Sequence, residues 1–232
     1  MDSYKERWAK AWKSHLFRKK LIIGFILIAV ILSAFPFFFQ LIEKRPGIFL
    51  HDWILNQLPI QDVSIMIFIL IWATSLLTFF RAVQDPGILM QLLWSYILLC
   101  VLRMMTISLI PLDPPANLLP LADPIANVFY GPHFVTRDLF FSGHTATVFL
   151  MALCLKNKTD KVLAFLASVG VGILLLVQHV HYTIDVIAAP LLTYVIYLAG
   201  KRIATIGALS KTLHPIENKI PSSCLRLFHN QA

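Results

Sequence analysis

Apolar residues run in long blocks along this chain, and polar residues gather where the blocks end. A helix needs about 20 mostly apolar residues to cross a hydrocarbon layer. Six blocks fit that role: Leu21–Ile42, Val63–Phe80, Ile88–Leu109, Leu139–Leu155, Val162–Val177 and His181–Gly200. The last three are short or polar near one end. Pro36 falls inside the first, where a kink is tolerated because neighbouring helices satisfy the freed carbonyl. The pattern predicts an all-α, polytopic membrane protein with six transmembrane helices. There is no internal repeat, low-complexity tract or second domain. The expected layout is a basic segment 1–20, a membrane domain 21–200 and a basic tail 201–232.

Composition narrows the class. Of 232 residues, 58% are hydrophobic and 14% charged, against about 25% charged in a typical soluble domain. A small soluble globule keeps too much of its surface in water to hide that apolar content. Disorder is excluded because disordered chains are poor in apolar residues. The first apolar block is long and lacks a small-residue cleavage site, so it reads as a retained helix rather than a signal peptide.

The net charge is +8. The basic residues flank apolar spans, which argues against a nucleic-acid partner. Six spans put both termini on one side, and the excess of Lys and Arg says which. The first 20 residues, Arg81, Lys156, Lys158, Lys161, Lys201, Arg202, Lys211, Lys219 and Arg226 together hold 16 of the 20 basic residues. Only Lys44, Arg45, Arg103 and Arg137 lie on the other side. Both termini are therefore expected in the cytosol, with the loops 43–62, 110–138 and 178–183 outside. The N-terminal stretch carries Trp8, Trp12 and Phe17 among lysines. It reads either as an amphipathic helix on anionic lipid or as a plain flank that sets topology. Cys100, Cys154 and Cys224 have no CxxC spacing, so neither a disulfide framework nor a zinc site is expected, and none of them lies near the outer polar residues.

Those outer residues carry the candidate chemistry. The third span leaves through Arg103-Met-Met-Thr106, the fourth begins at Arg137-Asp138-Leu-Phe-Phe-Ser142-Gly143-His144-Thr145, and the sixth at His179-Val-His181-Tyr182-Thr183-Ile-Asp185. Ionisable groups at membrane depth are costly and usually mark function. His181 and Asp185 are four apart, one face of a helix. The aspartate can fix the imidazole tautomer and leave the other nitrogen free to attack, the logic of a triad with histidine as nucleophile. The same pair also serves simply to close a helix end. Ser142 can cap a helix, and Gly143 lets a group approach its backbone. A helix start suits phosphate, and His144 there has the right pKa range to protonate a leaving oxygen. Equally, the tripeptide is an ordinary capped start. Arg103 suits bidentate phosphate binding or snorkelling. Thr106 offers a hydroxyl, although such threonines often bond their own helix.

Ser142-Gly143-His144-Thr145 and His181-Tyr182-Thr183-Ile184-Asp185-Val186 resemble the two signature segments of the sphingomyelin synthase family. That family sits within the PAP2-like lipid phosphatase/phosphotransferase superfamily. Arg103-x-x-Thr106 running to Pro111 and Pro114 is similar to the family's preceding segment, and Asp138 stands where the family carries an aspartate. The resemblance covers about residues 85–200. It implies a PAP2-like helical bundle in which His181 is the nucleophile, Asp185 its orienter and His144 the general acid/base. Arg103, Thr106, Ser142, Gly143, Asp138 and Tyr182 would hold the phosphate or headgroup. The implied reaction moves phosphocholine or phosphoethanolamine from a glycerophospholipid to ceramide or a related lipid alcohol. It releases diacylglycerol and passes through a phosphohistidine, with no metal or other cofactor. The partners are then membrane lipids, the site faces the outer side of a cell or Golgi membrane, and the oligomeric state is open.

Departures from the phosphatase branch bear on the choice. That branch carries Lys-x6-Arg-Pro, Pro-Ser-Gly-His and Ser-Arg-x5-His-x3-Asp. Here Phe141 replaces the proline, Leu174 and Leu175 replace the Ser-Arg pair, and the lysine motif is missing. The thinner positive charge favours a phosphodiester donor. A PAP2-type lipid phosphatase and a non-catalytic lipid-binding or lipid-transport protein are the competing functions.

Overall fold

The computed structural model describes residues 3–121 and 135–206. Cys224, Lys211, Lys219, Arg226 and most of the expected basic tail lie outside the described residues, as does part of the 110–138 loop. Within the described residues there are seven α-helices: α1 (Tyr4–Trp12), α2 (His15–Glu43), α3 (Ser64–Gln84), α4 (Pro86–Leu109), α5 (Gly143–Cys154), α6 (Lys158–Val177) and α7 (Thr183–Thr205). The described residues form no strand. One isolated bridge joins Ile48 to Leu112.

Five helices, α2, α3, α4, α6 and α7, are long and apolar enough to cross a membrane. The expected fourth span, Leu139–Leu155, is instead a 12-residue helix. Its apolar start misleads, because Leu139 and Phe141 are buried outside any helix. The Ser142 side chain accepts from Thr145 N–H at 3.5 Å and opens the helix only there. The other corrections have the same origin in capping. Ser14 caps α2, so Arg18, Lys19 and Lys20 lie inside it and it starts six residues before Leu21. Asp85 caps α4 with Pro86 at its first position, where a missing N–H costs nothing. Asn157 caps α6 at Lys158. The expected sixth span, α7, begins at Thr183, leaving His181 and Tyr182 ahead of it. The N-terminal stretch does form a helix, α1, closed by a capping box between Ser3 and Glu6. The Trp8 indole donates to Val83 O at 2.6 Å.

Helix α5 is the centre of the bundle and packs against α3, α4, α6 and α7. Its Ala146, Val148 and Leu150 are fully buried. Ala146 and Leu150 join Leu99, Phe141, Cys154, Ala189 and Ile196 in the cluster between α4, α5 and α7, while Val148 packs with Ile67 and Phe68 of α3 and Val171 and Leu175 of α6. Small residues let the outer helices close in. A Cβ on Gly200 would lie 2.8 Å from the Ser95 Cα, so α4 and α7 touch nearly backbone to backbone there. The outward faces of α2, α3, α6 and α7 expose Ile, Leu, Val and Phe, the surface of an integral membrane protein.

The two ends are tied differently. At one, Arg81 clasps Asp160 through two nitrogens, at 2.6 and 3.3 Å, and Lys156 meets Asp85 at 2.6 Å. At the other, the α2–α3 and α4–α5 connections lace together. Arg45 donates to the Ile107 and Ser108 carbonyls at the end of α4. Arg137 meets Asp113 at 2.9 Å, and Glu43 accepts from Thr136. The candidate site lies at this laced end.

Candidate functional site

The start of α7 is built by three carboxylate and carbonyl contacts. Asp185, at the third helical position, accepts from the Tyr182 backbone N–H through Oδ2 at 3.0 Å. Its own carbonyl accepts from the Ser142 N–H at 3.2 Å, which docks the start of α5 on the start of α7. His181 precedes the helix rather than lying on it, so the i, i+4 spacing works through the capping turn. Its Nδ1 is 3.4 Å from Asp185 Oδ2, and both side chains are buried. That is contact without hydrogen-bond geometry: His181 Nδ1 and Asp185 Oδ1 are buried without a bonded partner. A proton on Nδ1 would find Oδ2 within a small adjustment, and bonds of this kind often tighten only when substrate is bound.

Helix α5 presents the second half. Ser142 is fully buried; its Oγ meets both the Thr145 N–H and the Thr145 Oγ1. Thr145 O in turn accepts from Ser168 Oγ of α6 at 3.3 Å. His144 follows on the first turn, partly buried, with its ring edge-on to Phe68 at 6.5 Å. The positive end of the α5 dipole lies here, which favours a nearby anion.

The group that approaches Gly143 closely is Arg103. A Cβ at position 143 would fall 2.2 Å from Nη1 and 2.5 Å from Cζ. The guanidinium is held there by Phe141 O at 3.2 Å and by Asp138 Oδ1 at 2.5 Å. Thr106 Oγ1 donates to Phe140 O and Arg103 O, both at 3.1 Å, so it braces the segment before Ser142 from α4. The Tyr182 hydroxyl donates to Asp113 O at 2.8 Å and accepts from Leu50 N–H at 3.3 Å. It is committed to the outer connections. The structure thus gathers Arg103, Asp138, Ser142, Gly143, His144, His181 and Asp185 where α4, α5 and α7 meet, and turns the Tyr182 side chain toward the loops.

Two participants were missed from sequence. Asp52, in the α2–α3 connection, accepts from Thr183 N–H at 2.6 Å, Thr183 Oγ1 at 3.0 Å and Leu55 N–H at 3.0 Å. It caps α7 from 131 residues away. Burial pushes its carboxyl up, but the bonds from Leu55 and Thr183 outweigh that and hold it below the usual aspartate value. A lone carboxylate in the apolar run Phe49-Leu-His-Asp-Trp-Ile was the available signal. Gln178 is fully buried: it donates to Ser64 Oγ at 2.7 Å and Pro120 O at 3.3 Å and accepts from Val63 N–H at 3.3 Å. It fixes the turn that leads to His181, in which His179 has a positive φ of 56°. Among the described residues no group of three or more His, Cys, Asp or Glu is placed to hold a metal ion.

Residues 137–202 match the family model described as PAP2 superfamily C-terminal, a stretch that contains His144, His181 and Asp185. Over 69 residues the chain is 39% identical to the phosphatidylcholine:ceramide cholinephosphotransferase 2 of Homo sapiens, and 38% identical to that of Macaca fascicularis. Each alignment covers 27% of this chain and only 19% of the relative's length. No solved structure matches the chain.

Proposed function

We propose that the chain is a lipid phosphotransferase that moves a phosphocholine-like or phosphoethanolamine-like headgroup between lipid alcohols. One observation carries the reading. The Ser142–Asp185 backbone bond locks a buried His–Asp pair beside the positive end of a second helix, whose first turn carries another histidine. His181 Nε2 would attack phosphorus while Asp185 steadies the proton on Nδ1. The bond from phosphorus to the glycerol oxygen breaks, and His144 gives that oxygen its proton. The acceptor hydroxyl then attacks phosphorus, the bond to His181 Nε2 breaks, and the hydroxyl proton returns to His144.

The charge around phosphorus favours a diester. The guanidinium of Arg103 already faces the carboxylate of Asp138 at 2.5 Å, so the pair offers little net positive charge to a dianionic monoester. The names of the partial relatives, which act on phosphatidylcholine and ceramide, are consistent with such a donor and acceptor.

Purified protein in liposomes with a normal phosphatidylcholine donor and ceramide should yield headgroup-bearing ceramide and diacylglycerol. His181→Ala should abolish this with any donor. His144→Ala should fail with the normal donor, yet release nitrophenol from a nitrophenyl headgroup ester, whose leaving group needs no proton. Net transfer should retain configuration at phosphorus, because two in-line displacements occur. Inversion would make His181 a base in a direct transfer. Headgroup release to water in place of transfer would mark a hydrolase.

A further inference from the structure

The α2–α3 connection has two unlike faces. Its outer face is apolar and exposed: Ile48, Phe49, Trp53, Ile54 and Ile60 project from it, with Trp53 76% exposed. Its inner face is bonded to the turn that carries His181. Asp52 takes the Thr183 N–H and hydroxyl, and Leu50 N–H donates to the Tyr182 hydroxyl. The Phe49 and Tyr182 rings meet edge-on at 6.4 Å. Leu55 is buried with Tyr182 and Leu139. The Ile48–Leu112 bridge pins the base of the segment.

We propose that residues 48–60 form an interfacial loop whose apolar face sits in the membrane leaflet beside the site, and whose Asp52 transmits that seating to the start of α7. The lipid leaflet is the occupant because the loop continues a lipid-facing surface at both ends. Leu41 near the end of α2, Ile65 in the first turn of α3 and Leu109 closing α4 are 68%, 76% and 75% exposed. A tryptophan among exposed polar His51, Asn56 and Gln57 is the composition of a headgroup-level anchor. Within the loop, the carboxylate of Asp52 turns inward to Thr183, so no acidic group opposes insertion. On the function proposed above, the loop couples lipid contact to the nucleophile's turn; its seating in lipid is independent of any chemistry.

The test uses the full chain in nanodiscs, with Cys100, Cys154 and Cys224 replaced. A nitroxide on Trp53→Cys should be accessible to oxygen and shielded from a water-soluble nickel chelate, whereas one on Ala116→Cys should meet the chelate freely. Chelate access at 53 would put the loop in water. Shielding from both reagents would mean a protein partner or a second copy. Either result overturns the proposal. Hydrogen exchange in peptides spanning 181–185 then reads the coupling. Asp52→Ala should speed it about tenfold or more, as expected for losing a hydrogen bond to a charged group. Asp52→Asn, which keeps an acceptor for Thr183 N–H, should largely preserve protection. Trp53→Ser should also speed exchange there, and should add nothing in the Asp52→Ala background. Unchanged exchange in Trp53→Ser, or additive effects, would break the coupling. Unchanged protection in α3 and α6 certifies that the variants are folded. None of these readouts depends on turnover, so they stand or fall apart from the transferase reading.

Discussion

At the level of single residues, the site was legible where a side chain is expensive to place. An arginine, an aspartate and histidines at membrane depth demand partners, so Arg103, His144, His181 and Asp185 stand out from sequence alone. Their contacts were not legible. Nothing local says that the Thr106 hydroxyl goes to Phe140 O, or that both hydrogen-bonding roles of the Tyr182 hydroxyl are filled by Asp113 and Leu50. Gly143 shows the limit best: its lack of a Cβ makes room for the Arg103 guanidinium. Gly143→Ala should therefore separate stability from activity. The clashing atoms are the far end of a flexible side chain, which can swing away, so thermal stability should fall only slightly. The displaced guanidinium leaves its place over the helix start. Positioning errors of about an ångström cost about a hundredfold in rate, so turnover should fall by that order. Wild-type turnover in Gly143→Ala would show that the position of Arg103 does not matter to the reaction.

Secondary-structure elements were legible to the extent that apolar runs and helices coincide. They coincide for α3 and α4, whose ends lie within a few residues of the expected ones. They part at α5, because Leu139 and Phe141 are apolar for the sake of the core and not of a helix. They part again at α7, because the residues before Thr183 belong to a capping turn held by Asp52 and Asp185. Helix packing depends on spacing that sequence does not display. Gly200 is one of several small residues in its span, and a Cβ there would lie only 2.8 Å from the Ser95 Cα of α4. A backbone atom cannot swing aside, so Gly200→Ala should push α4 and α7 apart and destabilise the protein by about 1–3 kcal/mol. Ser95→Gly removes the facing Oγ and Cβ, which would lie 2.1 and 2.9 Å away. Combined with Gly200→Ala it should recover part of the loss, a coupling that a double-mutant cycle isolates. Thermal unfolding of the four proteins in one detergent measures it. Strict additivity would mean that the two helices are not in this contact.

For the whole molecule, the question is whether a 12-residue helix completes a sixth crossing. Alone, α5 is about 18 Å long, well short of a hydrocarbon layer about 30 Å thick. Its neighbours show how far it reaches. Gly143 lies against Arg103 of α4, and Lys156, two residues past the end of α5, pairs with Asp85 at the other end of α4. From Arg103 back to Pro86 along α4 is about 26 Å. The stretch from Ser142 to Lys156 therefore runs about 26 Å of the roughly 35 Å of α4, and its shortfall lies at the site end, where the chain stays non-helical until Ser142. A recessed start explains both the short helix and a candidate site whose His181 and Asp185 are buried. The expected parity of six crossings would then hold, and the distribution of basic residues would put the α1, Asp85 and Lys156 end toward the cytosol. Cysteines at Ala116 and Lys158, both exposed, lie on the two sides of that crossing. In cells, with the native cysteines replaced, an impermeant thiol reagent should label Ala116→Cys from outside. It should label Lys158→Cys only after the membrane is opened. Labelling of both from outside would mean that α5 turns back within the bundle, and the chain would then cross five times with its ends on opposite sides.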